Sequence, residues 1–199
     1  MAAQSRPSQH SDKPGALLPY PYSPITERQP IAWPDGARVA VWVIINVEHY
    51  EFDLPAPLPP PSPDKPVPDV RNFAWLEYGA RVGHWRVMEL LDRHKIRATV
   101  ALNSTVCQHY PAIVSECKRR GWEFRGHGTT NSRSLRGLSR EAERQVIEET
   151  LDTIASAVGT KPQGWLSPGL TENLHTLELL AEAGISYVCD WCNDDAPYP

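Results

Sequence analysis

Five apolar segments of the chain each run directly into polar or reactive residues. The run at residues 39–45 is followed by Asn46 and Glu48, and the run at residues 122–126 is followed by His127 and Asn131. Parallel strands that are buried on both faces have nearly continuous apolar sequences, and enzymes built on them place their chemistry at the carboxyl ends of the strands. The pattern therefore predicts that Glu48 and His127 face one cleft.

Helical patterns lie between these segments. Apolar residues recur at helical spacing over residues 75–94, and a further helix is expected over residues 111–120, between strands at 97–102 and 122–126. The alternation of strand and helix is typical of a parallel sheet with crossover helices, most simply of a barrel. The buried face of the first helix is predicted to contain Val82, Trp85, Met88 and Leu91.

The alternation continues in the second half of the chain. Ser139 is predicted to cap a helix that ends at Gly159, with Glu143 among the acidic residues of its first turn. A short strand at residues 164–166 precedes a helix that Thr171 is expected to cap, and the last strand is predicted at residues 185–189. The inward-facing leucines of that last helix are expected to be Leu174, Leu177 and Leu180.

The proline pattern suggests how the chain is organised. Residues 1–31 are expected to form a polar, proline-containing arm, and residues 32–199 a single domain. Eight prolines between residues 54 and 70 exclude both a helix and a central strand, so an extended loop is predicted there. This loop follows the first strand and is expected to lie beside the proposed cleft.

Composition and charge exclude several classes of partner. The net charge is −4 and there is no extended basic stripe, so nucleic acid is not an expected partner. The longest apolar run is too short to span a bilayer and the amino terminus does not resemble a secretory signal, so no membrane partner and a cytoplasmic location are expected. Cys189 and Cys192 form a C-x-x-C pair that suits redox chemistry or half a zinc site, although packing is the favoured interpretation.

Five sequence blocks together resemble a known family. They come in that family's order and span residues 32–199, and they resemble the polysaccharide deacetylase (NodB-homology) superfamily, most closely its allantoinase-like branch. The resemblance implies an α/β fold, a distorted (β/α) barrel that is apparently truncated at the C-terminus. The blocks are Asn46-x-Glu48, Glu77-Tyr78-Gly79-x-Arg81-x-Gly83-x-Trp85-Arg86, Gly126-His127-Gly128-x-x-Asn131, Gly164-Trp165-Leu166-Ser167-Pro168 and Asp190-Trp191-x-Asn193-Asp194-Asp195-x-Pro197-Tyr198.

The resemblance also implies an activity, the hydrolysis of carbon–nitrogen amide bonds. The usual members hold a divalent metal with one Asp and two His, and a second Asp is the base. Glu48 stands at the metal-binding Asp, His127 and Asn131 at the two His positions, and Asn46 at the base. Amide side chains are poor zinc ligands. The allantoinase-like branch shares such replacements, which implies a metal-free reaction on the ring amide of a hydantoin-like compound, with no cofactor.

A mechanism can be assembled from the residues themselves. Amide hydrolysis needs a base for water, an acid for the leaving nitrogen and donors for the oxyanion. Glu48 is the predicted base, with a pKa that burial is expected to raise, and His127 is the predicted acid or carbonyl polariser. Arg81 and Asp190 are candidates for holding the substrate or orienting His127. The full set of predicted substrate-binding residues is Asn46, Arg81, Asn131, Trp165 and Asp190.

Each assignment has a plainer alternative. Glu48 suits a solvated loop, and His127 before Gly128 suits a turn. Arg81 is spaced to pair with Glu77 on a helix, and tryptophans such as Trp165 are more often core residues than substrate platforms.

Three functions therefore stay open. The leading one is a metal-independent, allantoinase-like amidohydrolase. The second is a deacetylase of N-acetylated sugars that uses zinc or another divalent metal, with Glu48 and His127 as ligands. The third is a non-catalytic relative that binds a ligand or partner. The expected partner is a small amide or acetamido sugar, and a homo-oligomer is a candidate assembly because an open sheet exposes its edges.

Overall fold

The computed structural model describes residues 20, 22–55 and 67–198. Two compact units are present, one formed by residues 41–193 and the other by the described residues up to Ala40 together with those from Asp194 onward. In the smaller unit Arg28 forms an ion pair with Asp194 at 2.6 Å. Most of the predicted arm and of the proline-rich loop lies outside the described residues, and the domain boundary at residue 32 stays a prediction.

The larger unit contains one parallel sheet of five strands in sequential order. The strands are β1 (Ile44–Val47), β2 (Thr99–Leu102), β3 (Glu123–Gly126), β4 (Gly164–Trp165) and β5 (Tyr187–Val188). Sequential order in a parallel sheet is the arrangement of a (β/α) barrel, as the sequence predicted. In the described part of the chain the sheet is open, and its edges are β1 and β5.

Helices connect the strands, as the alternation predicted. They are α1 (Val70–Tyr78), α2 (His84–His94), α3 (Val106–His109), α4 (Pro111–Arg119), α5 (Arg140–Val158) and α6 (Thr176–Glu182). A π-helical segment, Gly79–Gly83, joins α1 to α2. The predicted caps of α5 are confirmed, because the Ser139 side chain accepts a hydrogen bond from the backbone of Ala142 and Gly159 follows the last turn at φ 91°.

The π-helical segment corrects the predicted face of the first helix. Met88 and Leu91 are buried as expected, but Trp85 is 39% exposed and Val82 is only half-buried. A π-helical turn holds an additional residue, and the residues that precede it are therefore rotated about the helix axis relative to those that follow. The uninterrupted helical spacing assumed from the sequence was therefore wrong across this junction.

The first strand also differs from its prediction. Residues 39–45 were expected to form a strand buried on both faces, but β1 begins at Ile44, and Val39 and Val41 are 72% and 82% exposed. Within the described residues β1 has a neighbour on one side only. An edge strand of this kind is not enclosed on both faces, whereas every residue of β2 is buried.

The start of the last helix is the third difference. Thr171 does not cap it, since α6 begins at Thr176, and Leu174 is fully exposed. Glu143, predicted in the first turn of α5 and found there, is completely buried. Its carboxylate accepts hydrogen bonds from the side chains of Asn173 and Thr176, which hold the chain non-helical until that point.

The core contains two apolar clusters, and residues of α5 contribute to both. The second cluster is built around Trp165, whose side chain is fully buried. Its ring lies directly over Gly126 in β3, where an added Cβ would come within 2.5 Å of the ring and 3.4 Å of Leu151. Gly126 therefore lets the largest buried side chain pack against the strand that leads into His127. No helix in the described residues is long and apolar enough to cross a membrane.

Gly126→Ala is expected to destabilise the protein by about 1–3 kcal/mol, because Trp165 must leave its position to admit the methyl group. Gly79→Ala is the matched control. Gly79 has helical backbone angles and open space around it, so the same substitution there should be neutral or stabilising by up to about 1 kcal/mol. Urea unfolding followed by circular dichroism measures both, and equal effects at the two sites would contradict the packing argument.

Candidate active site

The carboxyl ends of the first four strands lie level with one another. Val47 pairs with Leu102, Leu102 with Gly126 and Gly126 with Trp165. The residue that follows each of these strands therefore reaches the same edge of the sheet. Glu48 and His127 are two of these residues, and Glu48 Oε1 lies 3.2 Å from His127 Nε2.

Glu48 is surrounded by hydrogen-bond donors. The Tyr50 hydroxyl donates to its Oε2, and Asn46 Nδ2 donates to its Oε1 at 3.2 Å. Burial acts to raise the pKa of Glu48, but the hydrogen bonds from His127, Tyr50 and Asn46 and the charge of His127 outweigh it and lower the pKa to about 2. The expected upward shift towards neutrality is therefore wrong, because donors to the ionised form dominate over desolvation.

His127 is held at both ring nitrogens. Its side chain is only 2% exposed, and Nδ1 lies 2.6 Å from the carbonyl oxygen of Leu166. A carbonyl oxygen can only accept, so Nδ1 carries a hydrogen. A hydrogen bond between Nε2 and ionised Glu48 then requires a second proton on the ring. The pair is thus described as an imidazolium and a carboxylate that hold one proton between them.

An amide network lies beside this pair. Asn103, which follows β2, donates to Asn131 Oδ1 at 3.1 Å and to the carbonyl oxygen of His127, and it accepts from the backbone of His49 at 2.9 Å. Asn131 Nδ2 lies 3.4 Å from the Tyr50 hydroxyl. Asn103 and Tyr50 were both missed from the sequence. The level strand ends would have identified Asn103, whereas Tyr50 has no signal beyond its spacing of two from Glu48.

Four of the predicted substrate-binding residues lie in different surroundings. Arg81 is exposed on the π-helical segment, and within the described residues it forms no ion pair with Glu77, whose carboxylate accepts from Tyr110 instead. Asp190, which follows β5 by two residues, accepts a hydrogen bond from the backbone N–H of Ser167 at 2.7 Å. Asn46 and Asn131 lie next to Glu48 and Tyr50, as described above.

Trp165 requires a correction. Its side chain is fully buried in the core, so it cannot touch a substrate, and the structure matches the core alternative. Its indole nitrogen donates to the Ser167 hydroxyl at 3.0 Å. The nearby backbone does contribute to the site, but through the carbonyl of Leu166.

A small pocket open to solvent lies beside Glu48. His84 is half-buried close by. Burial lowers its pKa, and the charge of Glu48 opposes this effect. The pocket thus combines apolar surface with two carboxylates and two phenols. Its lining residues are Glu48, Tyr50, Phe73, Leu76, Glu77, Ala80 and Tyr110.

The donor set at this site does not fit a zinc-type centre. Catalytic zinc needs three protein ligands, and among the described residues no three His, Cys, Asp or Glu side chains converge in this way. Asn131 stands where a second imidazole would be needed, and its Oδ1 already accepts from Asn103. The amide that replaces an imidazole at this position is therefore engaged within the protein and does not serve as a metal ligand.

The cysteines match the packing interpretation only in part, because Cys189 is half-buried and Cys192 is exposed. Cys117 is buried in the core, and Cys189 Sγ lies 2.8 Å from Arg125 Nη1. Burial raises the pKa of Cys189, although the neighbouring Arg125 opposes this. All four thiols are free, and Cys192 is exposed.

Comparisons with known sequences and solved structures agree with the fold described above. The profile of the polysaccharide deacetylase family matches residues 75–188, more than half of the chain. A Schizosaccharomyces pombe protein whose name places it among the polysaccharide deacetylases is 25% identical over 184 residues, which cover 83% of this chain and 57% of that protein.

Solved structures show the same fold. A polysaccharide deacetylase structure from Mycobacterium smegmatis superposes with a TM-score of 0.65 at 27% identity, covering 81% of this chain and 54% of the other. The structure of Puue allantoinase gives a TM-score of 0.74 at 23% identity and covers 91% and 64%, a likeness in fold alone. The chain thus spans less than two thirds of the length of these relatives.

The lowered pKa of Glu48 predicts a specific dependence of stability on pH. Its side chain is 22% exposed, and its pKa falls from an ordinary 4.5 to about 2 in the folded protein. The resulting stabilisation is complete above pH 4.5 and is lost as the pH falls towards 2. The difference in unfolding free energy between the wild type and Glu48→Gln should therefore be about 1–2 kcal/mol smaller at pH 3 than at pH 7.

Denaturant titrations at the two pH values measure this difference. Glu148→Gln, at an exposed position of α5, is the control and should show the same small effect at both. A Glu48→Gln effect that does not change with pH would mean that Glu48 is not held ionised by its donors.

Proposed function

Because this chain belongs to the polysaccharide deacetylase family, we propose that it hydrolyses a carbon–nitrogen amide bond outside peptides, with Glu48 and His127 as its acid–base pair. The observation that carries the proposal is the 3.2 Å contact between Glu48 Oε1 and the Nε2 of a buried His127, at the carboxyl edge of the sheet. Amide hydrolysis requires one group that takes a proton and another that supplies one. This contact unites both groups in a single pair.

The proposed reaction moves two protons. Glu48 accepts a proton from water as the water oxygen bonds to the amide carbon, and His127 Nε2–H gives its proton to the leaving nitrogen as the carbon–nitrogen bond breaks. Transfer of the proton from Glu48 back to His127 then restores the starting state. Asn46 and Asn131 carry amide N–H groups near Glu48 and are the proposed donors to substrate and oxyanion.

The low pKa of Glu48 has to be reconciled with its role as a base. A carboxylate with a pKa of about 2 is ionised at neutral pH but only weakly basic. Burial is the largest single influence and acts upward, and the hydrogen bonds oppose it. A substrate that draws the Tyr50 hydroxyl or the Asn46 amide onto itself removes one donor from the carboxylate, and the carboxylate then becomes more basic at the moment of reaction.

The proposed substrate is a small cyclic amide of the hydantoin kind, and no metal takes part. The pocket is small and presents the carboxylates of Glu48 and Glu77, which suit a ring bearing N–H donors better than an anion. The metal-free reaction is supported by the donor chemistry, since Asn131 replaces an imidazole in the metal pattern of the family. The fold shared with Puue allantoinase is consistent with this class of substrate.

Glu48→Gln should lower turnover of a hydantoin-type substrate such as allantoin by at least about 100-fold, because the variant cannot accept the proton of water. Glu51→Gln is the matched control. Glu51 lies three residues away and pairs with Arg133 instead of His127, so its variant should keep most of the activity. Release of product measured at pH 7 tests both, and wild-type turnover by the Glu48→Gln protein would remove Glu48 from this role.

The second candidate is a metal-dependent deacetylase of N-acetylated sugars, with Glu48 and His127 as ligands. It is favoured by the family and by the contact between these two potential ligands. We expect activity on the cyclic amide to survive prolonged dialysis against a chelator, and purified protein to contain much less than one metal ion per chain. Chelator-sensitive activity on acetylated chito-oligosaccharides, restored by zinc, would instead establish the deacetylase.

The third candidate is a relative that binds a ligand or partner without turnover. A folded sample that binds allantoin or acetylated chito-oligosaccharides but hydrolyses neither would support it. Self-association through the exposed edge of β1 or β5 stays a prediction.

A further inference from the structure

A single peptide group connects His127 to a carboxylate on another strand. The carbonyl oxygen of Leu166 lies 2.6 Å from His127 Nδ1, and the N–H of Ser167, on the same peptide bond, donates to Asp190 Oδ1 at 2.7 Å. The Ser167 hydroxyl also accepts from the indole of fully buried Trp165. The peptide group is therefore held by a partner at each end, and the adjoining Ser167 side chain is held by the indole.

We propose that Asp190 is the positioning residue of His127, acting through the Leu166–Ser167 peptide group, and that a protonated Glu172 completes the hydrogen bonding of Asp190. This inference rests on the proposed function, because it assumes that His127 is the acid of the reaction. An anionic acceptor on the N–H of a peptide increases the negative charge on its carbonyl oxygen. Leu166 O thus binds the Nδ1–H of His127 more strongly, and the ring keeps Nε2 towards Glu48.

The second oxygen of Asp190 identifies the partner. Asp190 Oδ2 is buried, and no N–H group among the described residues donates to it. Glu172, in the loop after β4, lies within hydrogen-bonding reach of Asp190. Two ionised carboxylates in contact would repel each other, whereas a protonated Glu172 donates to Oδ2 and removes the unsatisfied acceptor.

The surroundings of Glu172 are consistent with a carboxyl group that keeps its proton. Burial raises its pKa most, the hydrogen bond to Asp190 and the charge of Asp190 add to this, and the pKa reaches about 7. The Trp191 indole donates to Glu172 Oε1 at 3.0 Å and acts in the opposite direction. The other charged groups facing this region are Glu143 of α5, which raises the pKa further, and His175, which pairs with Glu143.

Proton and nitrogen NMR of histidine-labelled protein tests the proposal without any substrate. Asp190→Asn keeps an acceptor for Ser167 but removes the charge, so the Nδ1–H proton of His127 should move upfield. Turnover of the cyclic amide should fall by about 10-fold with little change in KM, as for other residues that orient a reacting histidine. Unchanged His127 resonances in a folded Asp190→Asn protein would overturn the proposal.

Glu172→Gln provides the second arm. In the wild type, loss of the Glu172 proton near pH 7 should shift the His127 resonances. The amide of the Glu172→Gln protein donates to Asp190 at every pH. Its His127 resonances should therefore match those of the wild type at pH 5.5 and should not shift near pH 7. Glu148→Gln is the control and should retain that change. A change near pH 7 that persists in the Glu172→Gln protein would overturn the role of Glu172. If the His127 resonances move in the Asp190→Asn protein but the wild type hydrolyses no amide, the positioning stands and the proposed function falls.

Discussion

The candidate site depends on one hydrogen bond, between His127 Nδ1 and the carbonyl oxygen of Leu166. Because that oxygen can only accept, the ring must present its other nitrogen to Glu48. The carboxylate and the imidazole then share a proton, which keeps Glu48 ionised despite its burial. A histidine free to rotate or to change tautomer would offer no such pair, and Glu48 would lose the hydrogen bond and the charge of His127 that help to lower its pKa.

That hydrogen bond is in turn a consequence of core packing. Gly126 has no side chain, so the Trp165 ring can lie on β3. β4 therefore lies alongside β3, and the backbone N–H of Leu166 donates a hydrogen bond to the carbonyl oxygen of Gly126 at 2.9 Å. The same tryptophan fixes Ser167 through its indole. A residue with no access to substrate thereby influences the orientation of the reactive imidazole, and the stability of the core and the geometry of the site cannot be varied independently.

The asparagines show how the site differs from a metal centre. In the usual family pattern the positions of Asn46 and Asn131 carry a carboxylate and an imidazole. Here their amides belong to a hydrogen-bonded network with Tyr50 and Asn103 beside Glu48 and His127. An amide can donate and accept at once, so such a network can orient both a carboxylate and a substrate without adding charge. The chain belongs to the polysaccharide deacetylase family, but among its described residues no three His, Cys, Asp or Glu side chains converge on a metal position.

Much of this architecture follows from the sequence alone, because it depends on local patterns. Apolar runs and helical spacing identified the five strands, the α5 caps and the parallel order, and they indicated that Glu48 and His127 come together. Tertiary structure alone decided the rest. The direction of the Glu48 pKa depends on donors from Tyr50 and from a distant strand, the burial of Glu143 moved the start of α6, and the π-helical segment turned Trp85 outward. These features arise from contacts between residues far apart in the chain or from the balance of opposing energies, and no local pattern encodes either.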